Sequence, residues 1–200
     1  IDWSKNDTSQ GLLAYSNNSN FVVAQVWNST NGNVTWGQGY AGPNFNWTVG
    51  DVIVRVHPNN DTFLNNSFII GISRQAAVAN TPIVTYLASN YTPSINYMLS
   101  GNLTDVSDTG TNRDFDVAWE KSGEQALIVY SPNNASTFFR IYNVTNASMS
   151  DAKASGCQGG VHEVIMLYSD PLSSDDIMYI CLDTAQQLGA ALYNGTTNTL

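Results

Sequence analysis

The chain repeats one of its own phrases. Residues 3–18 read WSKNDTSQGLLAYSNN, and residues 119–134 read WEKSGEQALIVYSPNN. Three further pairs of segments match at a similar spacing: 21–30 with 138–145, 49–58 with 161–171, and 67–74 with 176–183. Such self-similarity is typical of tandem supersecondary units that cover each other's apolar faces, here two modules of roughly 112 residues.

The repeat divides the chain into a first module, residues 1–112, and a second module, residues 113–200. A weaker repeat divides each module again, because similar apolar segments recur at a spacing of about 52 to 58 residues. These predicted second strands are LLAYS at 12–16, FIIGIS at 68–73, ALIVYS at 126–131 and MYICLD at 178–183. The predicted third strands follow them: VVAQVWN at 22–28, IVTYLAS at 83–89, FFRIYN at 138–143 and GAALYNG at 189–195. We expect the two modules to form one continuous β domain, with the second module lacking its last strand.

The apolar segments are short, rich in Val, Ile, Tyr and Phe, and separated by Asn, Gly, Pro, Asp and Ser, which predicts an all-β fold of antiparallel strands. Two architectures fit modules of this size. The middle strands of a β-propeller are covered on both faces, whereas the strands of a β-sandwich bury one face and alternate. Residues 127–130 and 178–181 are continuously apolar, while residues 52–58 alternate. The pattern favours a β-propeller-like array of about four blade units; two tandem β-sandwich domains are the alternative.

Two segments carry a family resemblance. Residues 115–143, FDVAWEKSGEQALIVYSPNNASTFFRIYN, and residues 170–196, DPLSSDDIMYICLDTAQQLGAALYNGT, resemble the β-propeller-like tandem repeats of bacterial and archaeal extracellular surface proteins. Those repeats usually continue with a Trp-containing strand, whereas this chain has Tyr193, Asn194 and Gly195 with no Trp after them. The resemblance implies a cell-surface protein and a final repeat without its closing strand.

The chain is dense in acceptor signals for N-linked glycosylation, Asn-x-Ser/Thr. Random placement of its Asn, Ser and Thr residues would give roughly 4 such sequons, about a third of what the chain has. They begin at Asn6, Asn17, Asn28, Asn33, Asn46, Asn60, Asn65, Asn90, Asn102, Asn134, Asn143, Asn146 and Asn194. We therefore expect a heavily glycosylated protein rather than an accident of Asn-rich loops.

The two cysteines agree with that expectation. Cys157 lies in a Gly/Ser-rich loop and Cys181 in an apolar strand. We predict a disulfide between them, which suits an oxidising compartment; two unpaired buried thiols are the alternative.

Groups for catalysis are scarce. The only histidines, His57 and His162, occupy non-equivalent places in the repeats, so a Ser-His-Asp or Cys-His arrangement has little material. Residues 29–36, STNGNVTW, are similar to the Asp-box of sialidases, but Asn31 stands where Asp belongs, and the arginines are scattered. We predict no enzymatic activity.

No cofactor is expected beyond N-linked glycans. The acidic segment 170–176, DPLSSDD, could offer hard oxygen ligands to calcium, yet it lacks EF-hand spacing and is better explained as a solvated turn. Neither cysteine has metal-ligand spacing.

Aromatic residues suggest one possible ligand platform. Trp3 and Trp119 occupy equivalent positions, as do Trp27, Tyr142 and Tyr193, which indicates repeated core packing. The segment 36–47, WGQGYAGPNFNW, has no counterpart elsewhere in the repeat. Its Trp36, Tyr40 and Trp47 are the candidates for an exposed sugar-binding surface.

Charge and hydropathy limit the classes of partner that the chain can have. A net charge of −9 with few Lys and Arg argues against nucleic acid, and no apolar run is long enough to predict a membrane span. We expect a non-enzymatic, heavily N-glycosylated extracellular structural protein, a subunit or segment of a filament, surface layer or adhesin, whose partners are copies of itself or other surface proteins. A carbohydrate-binding, lectin-like propeller module is the alternative.

Overall fold

The structure, a computed structural model, describes the strands and the turns next to them. The described residues are 2–3, 10–16, 21–30, 33–41, 49–58, 68–74, 83–87, 93–98, 115–130, 137–146, 148–155, 157, 161–169, 175–183, 185 and 187–200. They contain sixteen β-strands in four sheets, and every pairing between strands is antiparallel. The described residues up to 98 belong to one compact unit, and those from 115 onward belong to a second.

Unit one contains two four-stranded sheets, each with its strands in sequence order. The first sheet consists of β1 (Asp2–Trp3), β2 (Gln10–Ser16), β3 (Val22–Thr30) and β4 (Asn33–Ala41). The second sheet consists of β5 (Val49–Val56), β6 (Phe68–Arg74), β7 (Ile83–Leu87) and β8 (Pro93–Met98).

Unit two contains a five-stranded sheet followed by a three-stranded one. The third sheet consists of β9 (Phe115–Trp119), β10 (Gln125–Tyr130), β11 (Phe138–Asn143), β12 (Ser148–Met149) and β13 (Lys153–Ala154), with β12 and β13 both pairing to β11. The fourth sheet consists of β14 (Val161–Ser169), β15 (Ile177–Asp183) and β16 (Leu188–Tyr193). After β16 the chain turns back on itself, and an isolated bridge joins Asn194 to Thr199.

The predicted second and third strands occupy the same places in all four sheets. The second strands are β2, β6, β10 and β15, and each pairs with the third strand that follows it, β3, β7, β11 or β16. The sequence repeat therefore reports a repeat of strand order, and the fold is all-β and antiparallel as predicted.

The repeat extends to individual residues across the strands. In the first sheet the row of facing positions runs from Trp3 through Gly11 and Trp27 to Trp36. The same row in the third sheet is Trp119, Ala126, Tyr142 and Met149. A small residue thus stands between two aromatic positions in both sheets, which explains why the doubled phrase keeps its Trp.

In unit one, the core-facing side of the first sheet is aliphatic. Leu12, Val22, Ala24 and Val26 are buried and occupy alternate positions of β2 and β3. On the adjacent strands the Asp2 carboxylate accepts a hydrogen bond of 2.6 Å from the Val56 backbone N–H, joining β1 to β5. This bond fixes the second sheet against the start of the first.

In unit two, the third and fourth sheets pack face to face through one apolar core. Its members are Ala118, Leu127, Val129, Phe139, Ile141, Cys157, Ile177, Tyr179, Cys181 and Tyr193. The Phe139 and Tyr193 rings meet edge to face with centroids 6.0 Å apart. The predicted disulfide between Cys157 and Cys181 is present at this core, and the Tyr179 hydroxyl donates a hydrogen bond to the Ser155 carbonyl.

The middle strands differ in how they are covered. Residues 126–130 of β10 are all buried, so this strand is covered on both faces as predicted. The same expectation for residues 178–181 of β15 is wrong, because exposed and buried positions alternate there, with Met178 exposed between Ile177 and Tyr179. One face of β15 lies on the core of unit two, and its other face lies at the surface.

No helix occurs among the described residues, and none of them belongs to a helix long and apolar enough to cross a membrane.

Candidate functional site

Five of the sequon asparagines lie in the described part of the chain: Asn28, Asn33, Asn143, Asn146 and Asn194. The other eight fall outside the described residues: Asn6, Asn17, Asn46, Asn60, Asn65, Asn90, Asn102 and Asn134. Asn33 is exposed at the first position of β4, and Asn146 is exposed in the turn after β11. The other three are partly buried at strand ends.

The three sequon asparagines of unit two share one hydrogen-bonding pattern. Asn143 Oδ1 accepts from the Asn146 backbone N–H at 3.2 Å, and Asn146 Oδ1 accepts from the hydroxyl of Ser148 at 2.5 Å. Asn194 Oδ1 accepts from both the backbone N–H and the hydroxyl of Thr197, at 2.9 and 3.0 Å. Each bond uses the amide oxygen, whereas an N-linked glycan is attached through the amide nitrogen. The turns that hold these asparagines are therefore compatible with a glycan.

Trp36 is the member of the predicted aromatic platform, residues 36–47, whose side chain the structure describes. It is 50% exposed and faces Trp27 across β3 and β4. Tyr40 pairs with Ala24 in the backbone register, beyond a bulge. Trp47 lies outside the described residues.

Trp27 is the neighbour of Trp36 that the sequence analysis assigned to core packing instead. It is partly buried, in contrast to its equivalents Tyr142 and Tyr193, which are buried. Its position opposite Trp36 could be read only from the strand register, since the two residues belong to different segments of the repeat. A pair of neighbouring indoles on a sheet face is a surface on which a sugar ring can stack.

A second cluster, at the end of β9, was not foreseen from the sequence. Glu120 follows Trp119 and is only 2% exposed, although it is a carboxylic acid. Gly195 lies against it, since a Cβ built on that glycine would fall 2.7 Å from Glu120 Oε1 and 2.6 Å from Asp175 Cβ. Asp175 is fixed in turn by the Ser122 backbone N–H, which donates to Asp175 Oδ1 at 2.7 Å. We call Glu120, Asp175, Tyr193 and Gly195 the Glu120 cluster.

The electrostatics of the Glu120 cluster follow from burial. Desolvation, together with the negative charges of Asp175 and Glu124, raises the pKa of Glu120 to about 7, although hydrogen bonds with Tyr193 and Ser122 act in the opposite direction. Desolvation and the nearby Glu120 likewise raise the pKa of Tyr193, whose hydroxyl donates to Asn198 Oδ1 at 2.5 Å. Near neutral pH a proton on Glu120 therefore stabilises the contact between the end of β9 and the turn after β16.

The buried carboxyl of Glu120 is out of reach of a substrate in this conformation, so the cluster has the properties of a structural contact. No group of three or more His, Cys, Asp or Glu side chains that could hold a metal ion occurs among the described residues. Most of the acidic segment 170–176 considered for calcium falls outside those residues.

Comparisons with known proteins extend only to the fold. No protein-family model and no curated protein matches the chain. Among solved structures, TolB from Acinetobacter baumannii is similar with a TM-score of 0.53 and 10% sequence identity, over 98% of this chain and 41% of TolB. The chain thus spans less than half the length of TolB, which contains a β-propeller domain. At this identity the likeness concerns the fold alone.

Proposed function

We propose that this chain is a non-enzymatic, heavily N-glycosylated structural protein of the extracellular surface, a subunit or segment of a filament, surface layer or adhesin. The observation that carries the proposal is the density of sequons along the chain. Such an enrichment is expected of an extracellular protein rather than a cytosolic one. The disulfide between Cys157 and Cys181 suits the oxidising extracellular environment.

A propeller-like arrangement of the four sheets is part of the same proposal. We take the four sheets as blade units of a propeller-like array, akin to the repeats of bacterial and archaeal surface proteins. Support comes from the repeated strand order, the face-to-face packing of the third and fourth sheets, and the likeness to TolB. Covering each sheet with the next gives a rigid, extendable stack, which suits a load-bearing surface protein.

Glycopeptide mass spectrometry of the protein isolated from its native source tests the glycan part of the proposal. The expected result is glycan mass on most sequon peptides, including those of Asn33 and Asn146, which are exposed. Peptides that all carry unmodified Asn would overturn it. Asn198, which is followed by Thr199 and Leu200 and is not a sequon, should carry no glycan when fragmentation localises the modified residue, and it is the internal control.

A carbohydrate-binding module is the second candidate, and the exposure of Trp36 beside Trp27 favours it. A glycan array probed with the chain and with its Trp36→Ala variant tests this reading. Saturable binding that the variant loses would support a lectin, whereas equal background signals from the two proteins would exclude the Trp36 surface as its site.

A further inference from the structure

In unit two the sheets stack by pairing unlike faces. The fourth sheet directs Tyr179 and Tyr193 into the shared core, and we call this side its aromatic face. The third sheet meets it with Leu127, Val129 and Ile141 together with the ring of Phe139, and we call this mainly aliphatic side its aliphatic face. The aromatic face of one sheet therefore covers the aliphatic face of the sheet before it.

The fourth sheet has an aliphatic face of its own, and that face is uncovered. Met178 is 43% exposed, Leu188 is 71% exposed and Leu192 is 56% exposed. Met178 faces Leu192 across β15 and β16, and Leu182 faces Leu188, so the side chains form one contiguous patch. We call it the 178–192 face. The residues at positions 180, 182 and 190, which lie on the same face, are also uncharged. An apolar patch of this kind at the surface marks an interaction site.

The first sheet presents the complementary surface. Tyr15 and Trp36 are exposed, and Leu13, Val23 and Trp27 beside them are only partly buried. The register puts these residues on the side opposite the buried Leu12, Ala24 and Val26, so they form one aromatic face, the 15–36 face. Its equivalents in the third sheet, Trp119 and Tyr142, are buried, so this row of residues can take part in a packed core.

We propose that the 178–192 face of one copy packs on the 15–36 face of a second copy. The proposal rests on the structural function proposed above and names the surface through which that function would be carried out. The contact joins two different patches, so it is heterologous and leaves an unused face at each end of a pair. Repetition of the contact extends to a filament, or to a ring if the rotation closes.

A glycan on Asn33 would leave the 15–36 face open, and the net charge of the chain predicts how the contact responds to salt. Asn33 begins β4 three residues before Trp36, and successive residues of a strand point to opposite faces, so a glycan on Asn33 projects away from the 15–36 face. The chain carries a net charge of −9, which opposes association of two copies at low ionic strength. Added salt screens that repulsion and should strengthen the contact.

The test uses charge substitutions that block one face at a time. Leu192→Glu places a charge on the 178–192 face, and Trp36→Glu places one on the 15–36 face. Both side chains are exposed, so the sheets should still fold. Lys121→Gln, at an exposed turn position that belongs to neither face, changes the net charge by the same amount as Leu192→Glu and is the matched control. Sedimentation velocity on the unglycosylated recombinant chain, from about 1 µM to about 1 mM, covers the range of weak protein contacts. Circular dichroism confirms that each variant is folded.

The expected result has three parts. The wild-type chain and Lys121→Gln grow in mass with concentration, each face variant alone stays monomeric, and an equimolar mixture of the two face variants forms a dimer. The dimer is diagnostic because each variant keeps the face that the other lacks. A wild-type chain that stays monomeric throughout, or face variants that assemble as well as the wild type, would overturn the face pairing. Neither outcome touches the glycan evidence, so failure of this contact is distinguishable from failure of the proposed function.

Discussion

Glu120 and Gly195 are in direct contact at the junction between the end of β9 and the turn after β16. A methyl group on Gly195 would fall 2.7 Å from Glu120 Oε1, closer than packed atoms allow. We predict that Gly195→Ala lowers the free energy of unfolding by about 1 to 3 kcal/mol, the usual effect of overpacking. Urea unfolding followed by tryptophan fluorescence measures it.

Gly37→Ala is the control, because a Cβ there would lie 3.5 Å from the Val26 carbonyl oxygen, an ordinary contact. It should change the stability by less than about 0.5 kcal/mol. Equal effects of the two substitutions would show that the Gly195 contact is not tight in solution. Gly195→Ala also keeps the sequon at Asn194 intact.

Stability should depend on pH through Glu120. Its folded-state pKa is about 7 against an ordinary value of 4.5, so the folded chain keeps a proton that the unfolded chain has already lost. The free energy of unfolding therefore falls as the pH rises from about 4.5 to about 7 and stays lower above that. We predict that Glu120→Gln, which mimics the protonated acid, removes this fall and stabilises the chain at pH 8 by on the order of 2 kcal/mol.

The measurement is the urea midpoint of wild type and variant at a series of pH values between 4 and 8. Asp151→Asn is the control, since Asp151 is an exposed carboxylate that does not belong to the Glu120 cluster. Parallel pH profiles for wild type and Glu120→Gln would contradict the assignment of the proton to Glu120.

Reduction of the disulfide should weaken unit two. The bond between Cys157 and Cys181 closes a loop across a sequence separation of 24 residues. A loop of that length predicts a loss of about 3 kcal/mol on reduction. Thermal unfolding with and without dithiothreitol measures the loss. The Cys157→Ser/Cys181→Ser double variant should show the reduced stability already and no response to dithiothreitol; a response there would mean that the reductant acts elsewhere.

The hydroxyl of Tyr179 should contribute to the same core. It donates to the Ser155 carbonyl, and both residues are buried. Tyr179→Phe leaves that carbonyl without this donor and should cost about 1 to 2 kcal/mol. Tyr15→Phe, at an exposed tyrosine, is expected to leave the urea midpoint unchanged. An unchanged urea midpoint for Tyr179→Phe would show that this hydrogen bond does not contribute to the stability of the fold.

The sequence was informative where neighbours in sequence are neighbours in space. Short apolar segments in a fixed order predicted the second and third strands of every sheet, because strand order repeats together with the sequence. The aromatic positions of the doubled phrase followed as well, since Trp119 and Tyr142 flank Ala126 in the same register as Trp3 and Trp27 flank Gly11.

Features created by packing between sheets could not be predicted. Met178 sits in a run as apolar as residues 127–130, yet it is exposed because it lies on the side of β15 that faces away from the core of unit two. Glu120, Asp175 and Gly195 are distant in sequence and carry no motif, and only the stacking of the third sheet on the fourth brings them together. Trp27 and Trp36 face each other only through the register of β3 and β4, which includes a bulge that the sequence does not reveal.

Light scattering combined with negative-stain microscopy on native, still-glycosylated protein is the most direct test of the account. A structural protein of the cell surface should give regular polymers or sheets of many copies. A uniform population with the mass of one chain, 21.7 kDa plus its glycans, would contradict the structural function.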